Sequence, residues 1–329
     1  MSADGFEQAS CIAVTGASGF VGGALLKLLA VDKKYTARAI YRSLPDRPLD
    51  DCETFVCGAL KPDTDFRDAL EGVDVVVHCA ARVHVMDERA TDPMAEFRIT
   101  NVAATHNLAT QAAQSGVKRF IFISSIKVNG ESTQRDKPYR ADDVPGPEDP
   151  YGLSKMEAEE GLKRIATETG MEVVIIRPVL VYGPGVKANF LKMMTWLKKG
   201  AILPFGAINN KRSLVSLYNL TDLIRVCLEH PAAANQTFLV SDGEDVSTTQ
   251  LLNKMARALG CRARLLPVPS ALLVAAATVL NRKSLSQRLC GSLQVDIEKN
   301  RTLLGWSPRM KVDEGLKLTA EHYLGNNAR

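Results

Sequence analysis

The chain lacks paired cysteines. Its seven cysteines are an odd number, lie scattered and form no CxxC pair, which weighs against a disulfide framework or a zinc site and fits a reducing cytoplasm. No block of lysine and arginine is present, and the net charge of +4 is small for 329 residues. No nucleic-acid partner is therefore expected, although an anionic substrate remains compatible. Long hydrophobic runs are also missing. The longest, residues 271–280, is half the ~20 residues that span a bilayer, so it is expected to be a buried or docking helix without stable membrane insertion. The opening residues MSADGFEQAS lack the basic-then-apolar order of a signal peptide, and a cytoplasmic location is expected. There is no internal repeat and no low-complexity tract. What remains is an ordinary globular composition, 46% hydrophobic and 24% charged. The length suits one large domain or a main domain with a smaller partner.

Short β-branched runs at 11–15, 36–41, 53–57, 73–78, 120–124 and 173–177 read as strands. Helical patterns at 22–30, 65–71, 93–115 and 154–169 separate most of them. Strands alternating with helices predict right-handed crossovers and a parallel sheet covered on both faces. The near-continuous apolar character of the strands agrees, because such strands are buried on both sides. After residue 177 the pattern loosens into Pro/Gly-containing loops at 182–187 and 203–211. A strand at 237–240 is expected to rejoin the sheet. Ser247-Thr-Thr-Gln250 has the form of a capping box opening a helix to residue 259. A last helix lies near 312–323.

Gly16, Gly19 and Gly22, in the turn Thr15-Gly16-Ala17-Ser18-Gly19-Phe20-Val21-Gly22, follow an apolar strand and open an apolar helix. That context turns a glycine pattern into a dinucleotide fingerprint. One glycine permits the tight turn, one lets backbone approach the pyrophosphate, and one allows close helix–strand packing. Ser18, Phe20 and Val21 bring their backbone N–H groups to the same helix N-terminus. At the end of the second strand, an acid would favour NAD and an arginine NADP. The chain reads Ile40-Tyr41-Arg42-Ser43, so Arg42 favours NADP(H), with NAD(H) still possible.

Tyr151-Gly-Leu-Ser-Lys155 places a phenol and an ammonium four residues apart, on one helix face. A free tyrosine, pKa ~10, is a poor base at neutral pH. A nearby ammonium and an oxidised nicotinamide ring would favour the phenolate and lower that value. Ser124 and Ser125 end the fifth strand, where active-site groups of open parallel sheets gather. A serine there could hold the reacting oxygen while the tyrosine exchanges its proton.

These residues resemble the extended short-chain dehydrogenases/reductases of the nucleotide-sugar epimerase/dehydratase type. Further marks are His78-Cys79-Ala80-Ala81, Asn101-Val-Ala-Ala-Thr105, Arg177-Pro178, Val181-Tyr182-Gly183-Pro184 and the late Leu304-Gly305-Trp306-Ser307-Pro308. The resemblance implies a catalytic set of Ser125, Tyr151 and Lys155. It also implies that Asn101 braces the fourth strand and relays protons, and that Ala80, Ala81 and Pro178 line the cofactor. It implies that Arg212 meets a nucleotide diphosphate, that Asn189 meets the diphosphate or the base side, and that His84 and Lys127 face a sugar. A homodimer through the helices near 93–115 and 154–169 follows from the same likeness.

Departures narrow the choice. Ile126-Lys127 replaces the Asp-Glu pair of the 4,6-dehydratases, so water elimination has no evident acid and base. Val128-Asn129-Gly130 replaces the Val-Tyr-Gly of many epimerases, and Gly58-Ala59 replaces a Gly-Asp after the third strand. Leu180 stands where several relatives carry a sugar-binding asparagine. Arg82-Val-His-Val-Met86 with Ile123-Ser-Ser-Ile-Lys-Val-Asn-Gly130 is similar to the 4-keto reductases that finish UDP-N-acetylquinovosamine-type sugars for bacterial surface polysaccharides.

The expected fold is a Rossmann-type, doubly wound α/β parallel sheet with a small C-terminal substrate-binding lobe. Residues 1–180 would form the NAD(P) domain, with 213–242 returning to the sheet. Residues 181–212 and 243–329 would form the smaller region. The expected activity is hydride transfer from NADPH to carbon 4 of a UDP-4-keto-6-deoxy-N-acetylhexosamine. The alternative is a UDP-hexose 4-epimerase with bound NAD, and a third reading is a non-catalytic NADP(H) sensor.

Overall fold

The computed structural model describes residues 9–83, 92–280 and 283–327. His84 lies outside the described residues, so its expected contact with the sugar has no structural account. The chain divides into two compact units. The first comprises Met1–Val128, Pro147–Ile176 and Ile224–Thr237; the second comprises Asn129–Gly146, Arg177–Leu223 and Phe238–Arg329.

The central sheet is built from β1 (Ser10–Thr15), β2 (Tyr35–Tyr41), β3 (Cys52–Val56), β4 (Val75–His78), β5 (Arg119–Ile123), β6 (Glu172–Pro178) and β10 (Thr237–Val240). Its order is β10-β6-β5-β4-β1-β2-β3, and the pairings from β3 across to β6 are all parallel. The first crossovers are α1 (Phe20–Ala30) and α2 (Arg67–Leu70). Next come α3 (Pro93–Phe97), a π-helical turn Arg98–Ala103 and α4 (Ala104–Gln114), and then α5 (Pro150–Thr169). Every residue of β4 and β5 is buried, as expected for strands covered on both faces. Ala13, Val76, Phe120, Phe122 and Ile175 from the sheet join Leu108 and Ala112 of α4 and Leu162 of α5 in one apolar core. The register sets Thr15 beside His78 and His78 beside Phe122, aligning the carboxyl ends of β1, β4 and β5.

In the second unit, β7 (Leu180–Tyr182), β9 (Arg212–Ser216) and β11 (Asp245–Val246) form a separate sheet ordered β11-β9-β7. Of the stretch 213–242, only β10 lies in the central sheet. β8 (Ile202–Leu203) pairs with β12 (Arg264–Leu265). Around them run α6 (Ala188–Lys198), α7 (Leu217–Glu229), α8 (Thr248–Ala258), α9 (Ser270–Val279), α10 (Lys283–Cys290), α11 (Glu298–Leu304) and α12 (Val312–Asn327). The capping box at Ser247 and Gln250 is formed in both directions. The Leu304-Gly305-Trp306 segment ends α11 with Gly305 at φ +61, which turns the chain so that the indole N–H of buried Trp306 donates to Asp222 Oδ2 at 2.8 Å.

α9 narrows one expectation. The apolar run 271–280 is helical, but none of the residues of α9 is buried, and Leu272 is 61% and Val279 86% exposed. The burial expected from its composition requires covering elements; α10 packs along one side of it and the rest is left open.

Candidate active site

The glycine turn fits a dinucleotide on steric grounds. Gly16 sits at φ +68, and a Cβ there would come within 2.8 Å of the Ala80 backbone nitrogen. A Cβ on Gly22 would lie 2.4 Å from the Gly16 carbonyl oxygen. The turn is therefore closed by backbone against backbone, and only hydrogen fits. Gly19 donates its N–H to Gly16 O at 2.8 Å. It then caps α1 without a side-chain bond, and no acid stands in the helix's first turn. Unpaired N–H groups at the positive end of a helix dipole suit phosphate oxygens. Ser18 and Gly19 are exposed, while Phe20 and Val21 are half-buried.

The β4 end is pinned to this turn. His78 is buried, with Nδ1 2.6 Å from Thr15 Oγ1 and Nε2 2.9 Å from Thr105 Oγ1. Ala80 N–H donates to the same Thr15 hydroxyl at 3.3 Å. Burial, and next the Lys155 charge, push the His78 pKa down to about 3, so this imidazole is neutral. Asn101 lies within the π-helical turn, a distortion that recurs at functional sites. Its Oδ1 accepts from Arg82 N–H at 2.8 Å, and its Nδ2 donates to Arg82 O and to Ser154 Oγ, both at 3.0 Å. The carboxamide is thus committed to fastening the 79–82 segment, with Ala80 and Ala81, to α5.

α5 begins where its sequence dictates. Asp149 caps it, accepting from Gly152 N–H at 2.7 Å, and Pro150 takes the first helical position. Such a cap stabilises by about 1 kcal/mol. The helix start packs closely on the 126–128 turn, because a Cβ on Gly152 would meet Lys127 O at 2.7 Å. This places Tyr151 near Ser125, whose hydroxyl favours the phenolate. Lys155, one turn on, is buried and donates from Nζ to Ile123 O at 2.8 Å. Its ammonium also sits 4.3 Å from the centroid of the Phe122 ring.

The electrostatics differ from the sequence argument at one point. The protein's own groups push the Tyr151 pKa up to about 12, through burial first and the Asp149 carboxylate second, while the Ser125 hydroxyl opposes them. Lys155 does not reverse this. Burial lowers its own pKa to about 8, and Glu159 and Cys79 partly restore it. Glu159, itself buried, accepts a hydrogen bond from Ser124 at 2.5 Å. Of the serine pair, Ser125 thus faces the tyrosine and Ser124 faces inward.

Sequence reasoning missed Glu159, Gly152 and Ser154. The signal for the last two lay inside the Tyr151–Lys155 motif, whereas Glu159, two turns from Tyr151, was one acid among several on a helix. Lys127 forms an ion pair with Asp149. Arg42 and Ser43, just beyond β2, are exposed, and Arg42 makes no ion pair among the described residues.

In the second unit, Pro178 ends β6 and is buried, while Asn189 is exposed in the first turn of α6, directly after Ala188 at φ +55. A left-handed alanine is strained, and such strain clusters at functional sites. Half-buried Arg212 donates from Nη1 to Gly291 O at 3.1 Å. Its pKa is lowered by burial and by the neighbouring Arg288 charge, with Glu131 opposing. Two positive charges that act on each other favour an anion. Arg177 and Tyr182, both within resemblance motifs, are core residues: Arg177 Nη1 donates to Asn129 Oδ1 at 3.0 Å, and Tyr182 Oη donates to Asp242 Oδ2 at 2.7 Å.

A parallel sheet with a glycine turn after β1, and a Ser–Tyr–Lys set at the end of β5 and the start of α5, defines the short-chain dehydrogenase/reductase class of α/β enzymes. The NAD dependent epimerase/dehydratase family profile matches residues 12–241, and the chain belongs to that family. It is 49% identical over 319 residues to a UDP-glucose 4-epimerase of Vibrio cholerae, covering 97% of each chain. The fold is similar to that of the UDP-glucose 4-epimerase of Thermotoga maritima solved with UDP-glucose, at TM-score 0.76 and 22% identity over 97% of this chain and 100% of that one. It is also similar to the UDP-glucuronic acid 4-epimerase of Bacillus cereus in complex with NAD, at TM-score 0.76 and 20% identity over 96% and 99%.

Proposed function

We propose that this chain is a UDP-hexose 4-epimerase that retains NAD. The observation that carries the reading is the 49% identity, end to end, with a protein named UDP-glucose 4-epimerase. The Ser125 hydroxyl close to the Tyr151 phenol, with Lys155 one turn away, supports it chemically. The turn of Gly16, Gly19 and Gly22 and the start of α1 would hold the pyrophosphate, with Ala80, Ala81 and Pro178 along the nicotinamide half. When bound, the dinucleotide supplies a hydride acceptor and donor. Tyr151 Oη would take the proton of the carbon 4 hydroxyl and later return it, and Ser125 Oγ would hold that oxygen. Lys155 would keep positive charge beside the pair. Arg212 and Arg288 would take the UDP diphosphate, and Asn189 the diphosphate or the base side. A homodimer through the outer faces of α4 and α5 belongs to this reading.

The second reading, a 4-keto reductase using NADPH, is favoured by one observation: Arg42 and Ser43, not an acid, follow β2. Both readings use the same proton donor. The test supplies purified protein with UDP-glucose or UDP-N-acetylglucosamine, and separately with UDP-4-keto-6-deoxy-N-acetylglucosamine and NADPH. Interconversion at carbon 4 with no net cofactor change supports the epimerase. Stoichiometric NADPH oxidation without interconversion overturns it in favour of the reductase. Cofactor binding without turnover of any of these would point to a sensor.

A further inference from the structure

α9, Ser270–Val279, is apolar on every side, carries no charge, and has no buried residue. A helix of this composition is ordinarily found inside a protein. Leu272 and Val279 project into solvent, as does Leu280 beyond the helix at 70% exposure. The helix is rooted: Pro269, at its start, bridges to Ala207, and the preceding Leu266 exchanges backbone hydrogen bonds with Leu203 and Gly206 at 2.8 Å. Leu266, and Ile202 on the paired strand β8, are exposed as well.

The sequence segment that carries this helix has charge of one sign. From residue 246 to 295 the sequence contains no aspartate or glutamate and seven lysines and arginines. Lys254 is neutralised by Glu244 and Asp313. Arg257, Arg262 and Arg264 are exposed and make no ion pair among the described residues. Arg262 and Arg264 precede α9 by eight and six residues, and Arg264 lies in β12, the strand that leads into it.

We propose that α9 and its flanking arginines form a docking surface for an anionic phospholipid bilayer. The helix is about 15 Å long at 1.5 Å per residue, about half of what a span requires, so it lies at the boundary of headgroups and acyl chains. The arginines meet lipid phosphates. A second copy of the chain is a poorer occupant. A two-fold interface is self-complementary, so it would crowd each basic flank against a surface that is itself basic, with no acid in the segment to pair it. A bilayer supplies the apolar medium and the negative charge together. The contact is peripheral, and among the described residues no helix is long and apolar enough to cross a membrane.

The test is co-sedimentation of the full chain with vesicles of phosphatidylcholine alone or mixed with phosphatidylglycerol. Binding to the anionic vesicles is expected, and only weak binding to the neutral ones. Leu272→Gln/Val279→Gln should abolish pelleting. Arg262→Gln/Arg264→Gln should weaken it about thirtyfold, given roughly fivefold per basic residue near such a surface. Both variants should keep the wild-type melting temperature and cofactor binding, because the altered side chains are exposed. Wild-type protein that stays in solution with anionic vesicles overturns the proposal. So does equal pelleting of the α9 variant. An oligomer in sedimentation velocity that dissociates on the α9 substitutions would assign the surface to a second copy instead.

Discussion

The Lys155 ammonium donates to the backbone carbonyl of Ile123 at 2.8 Å, so the cation is tied to the end of β5 rather than left to solvent. Burial disfavours its charged form and brings its pKa down to about 8. Activity that requires the ammonium is retained below that value and lost as pH rises through it. The kcat/KM profile should therefore show an alkaline limb near pH 8. Glu159→Gln removes the carboxylate that favours the ammonium and should move the limb to lower pH. A limb unmoved by Glu159→Gln would assign it to another group.

Tyr151→Phe deletes the hydroxyl proposed to transfer the proton and leaves the ring's packing against Phe97 in place. Turnover should fall by about 10²–10⁴, the usual worth of a positioned acid or base. Dinucleotide binding, followed by fluorescence, should be retained. Turnover within a factor of two of wild type would remove Tyr151 from the chemistry.

His78 gives a stability prediction with a definite sign. Its folded pKa, about 3, lies below the ordinary value of 6.5. Between those values the unfolded chain binds a proton that the fold refuses. This contribution is therefore complete above 6.5 and is lost as pH falls toward 3, by up to about 1.4 kcal/mol per pH unit. Urea unfolding at a series of acidic pH values should show the slope, and His78→Gln should flatten it.

Gly22→Ala would force a Cβ to 2.4 Å from the Gly16 carbonyl, and Gly16→Ala would press on the Ala80 backbone at φ +68. Each should lower stability by about 1–3 kcal/mol, through backbone strain at Gly16 and through overpacking at Gly22. Each should also weaken dinucleotide binding. Gly72→Ala is the control, since it shares a positive φ but its Cβ meets nothing within 4 Å. It should show the backbone cost with unchanged cofactor affinity in a titration.

Arg42→Asp tests cofactor choice. If the guanidinium meets a 2′-phosphate, the ratio of NADPH to NADH affinity should fall at least about tenfold, as expected for loss of a charge-assisted pair. An unchanged ratio in calorimetric titrations would leave Arg42 as a surface residue.

Much of the site was legible in local pattern. The glycines of the first turn, Tyr151 with Lys155, and the β-branched strands each encode a short-range requirement: a backbone contact, a helix face, a burial on both sides. Asp149-Pro150 was enough to start α5. Glu159 was not legible, because its effect on Ser124 and Lys155 depends on α5 lying beside the end of β5. Nor was the fate of α9, since composition reports how apolar a segment is but not whether the rest of the chain covers it.

The sequence by itself determined the alternation of strands and helices, the tight glycine turn and the placing of Tyr151 and Lys155 on one helix face, because each is set by residues close together in the chain. The tertiary structure alone decided that Ser125 rather than Ser124 faces Tyr151, and that burial raises the tyrosine's pKa while lowering the lysine's. It also decided that the charge of an arginine distant in sequence, Arg288, acts on Arg212. Those outcomes depend on which groups lose water and which charges become neighbours, and both are set by contacts between segments far apart in the chain.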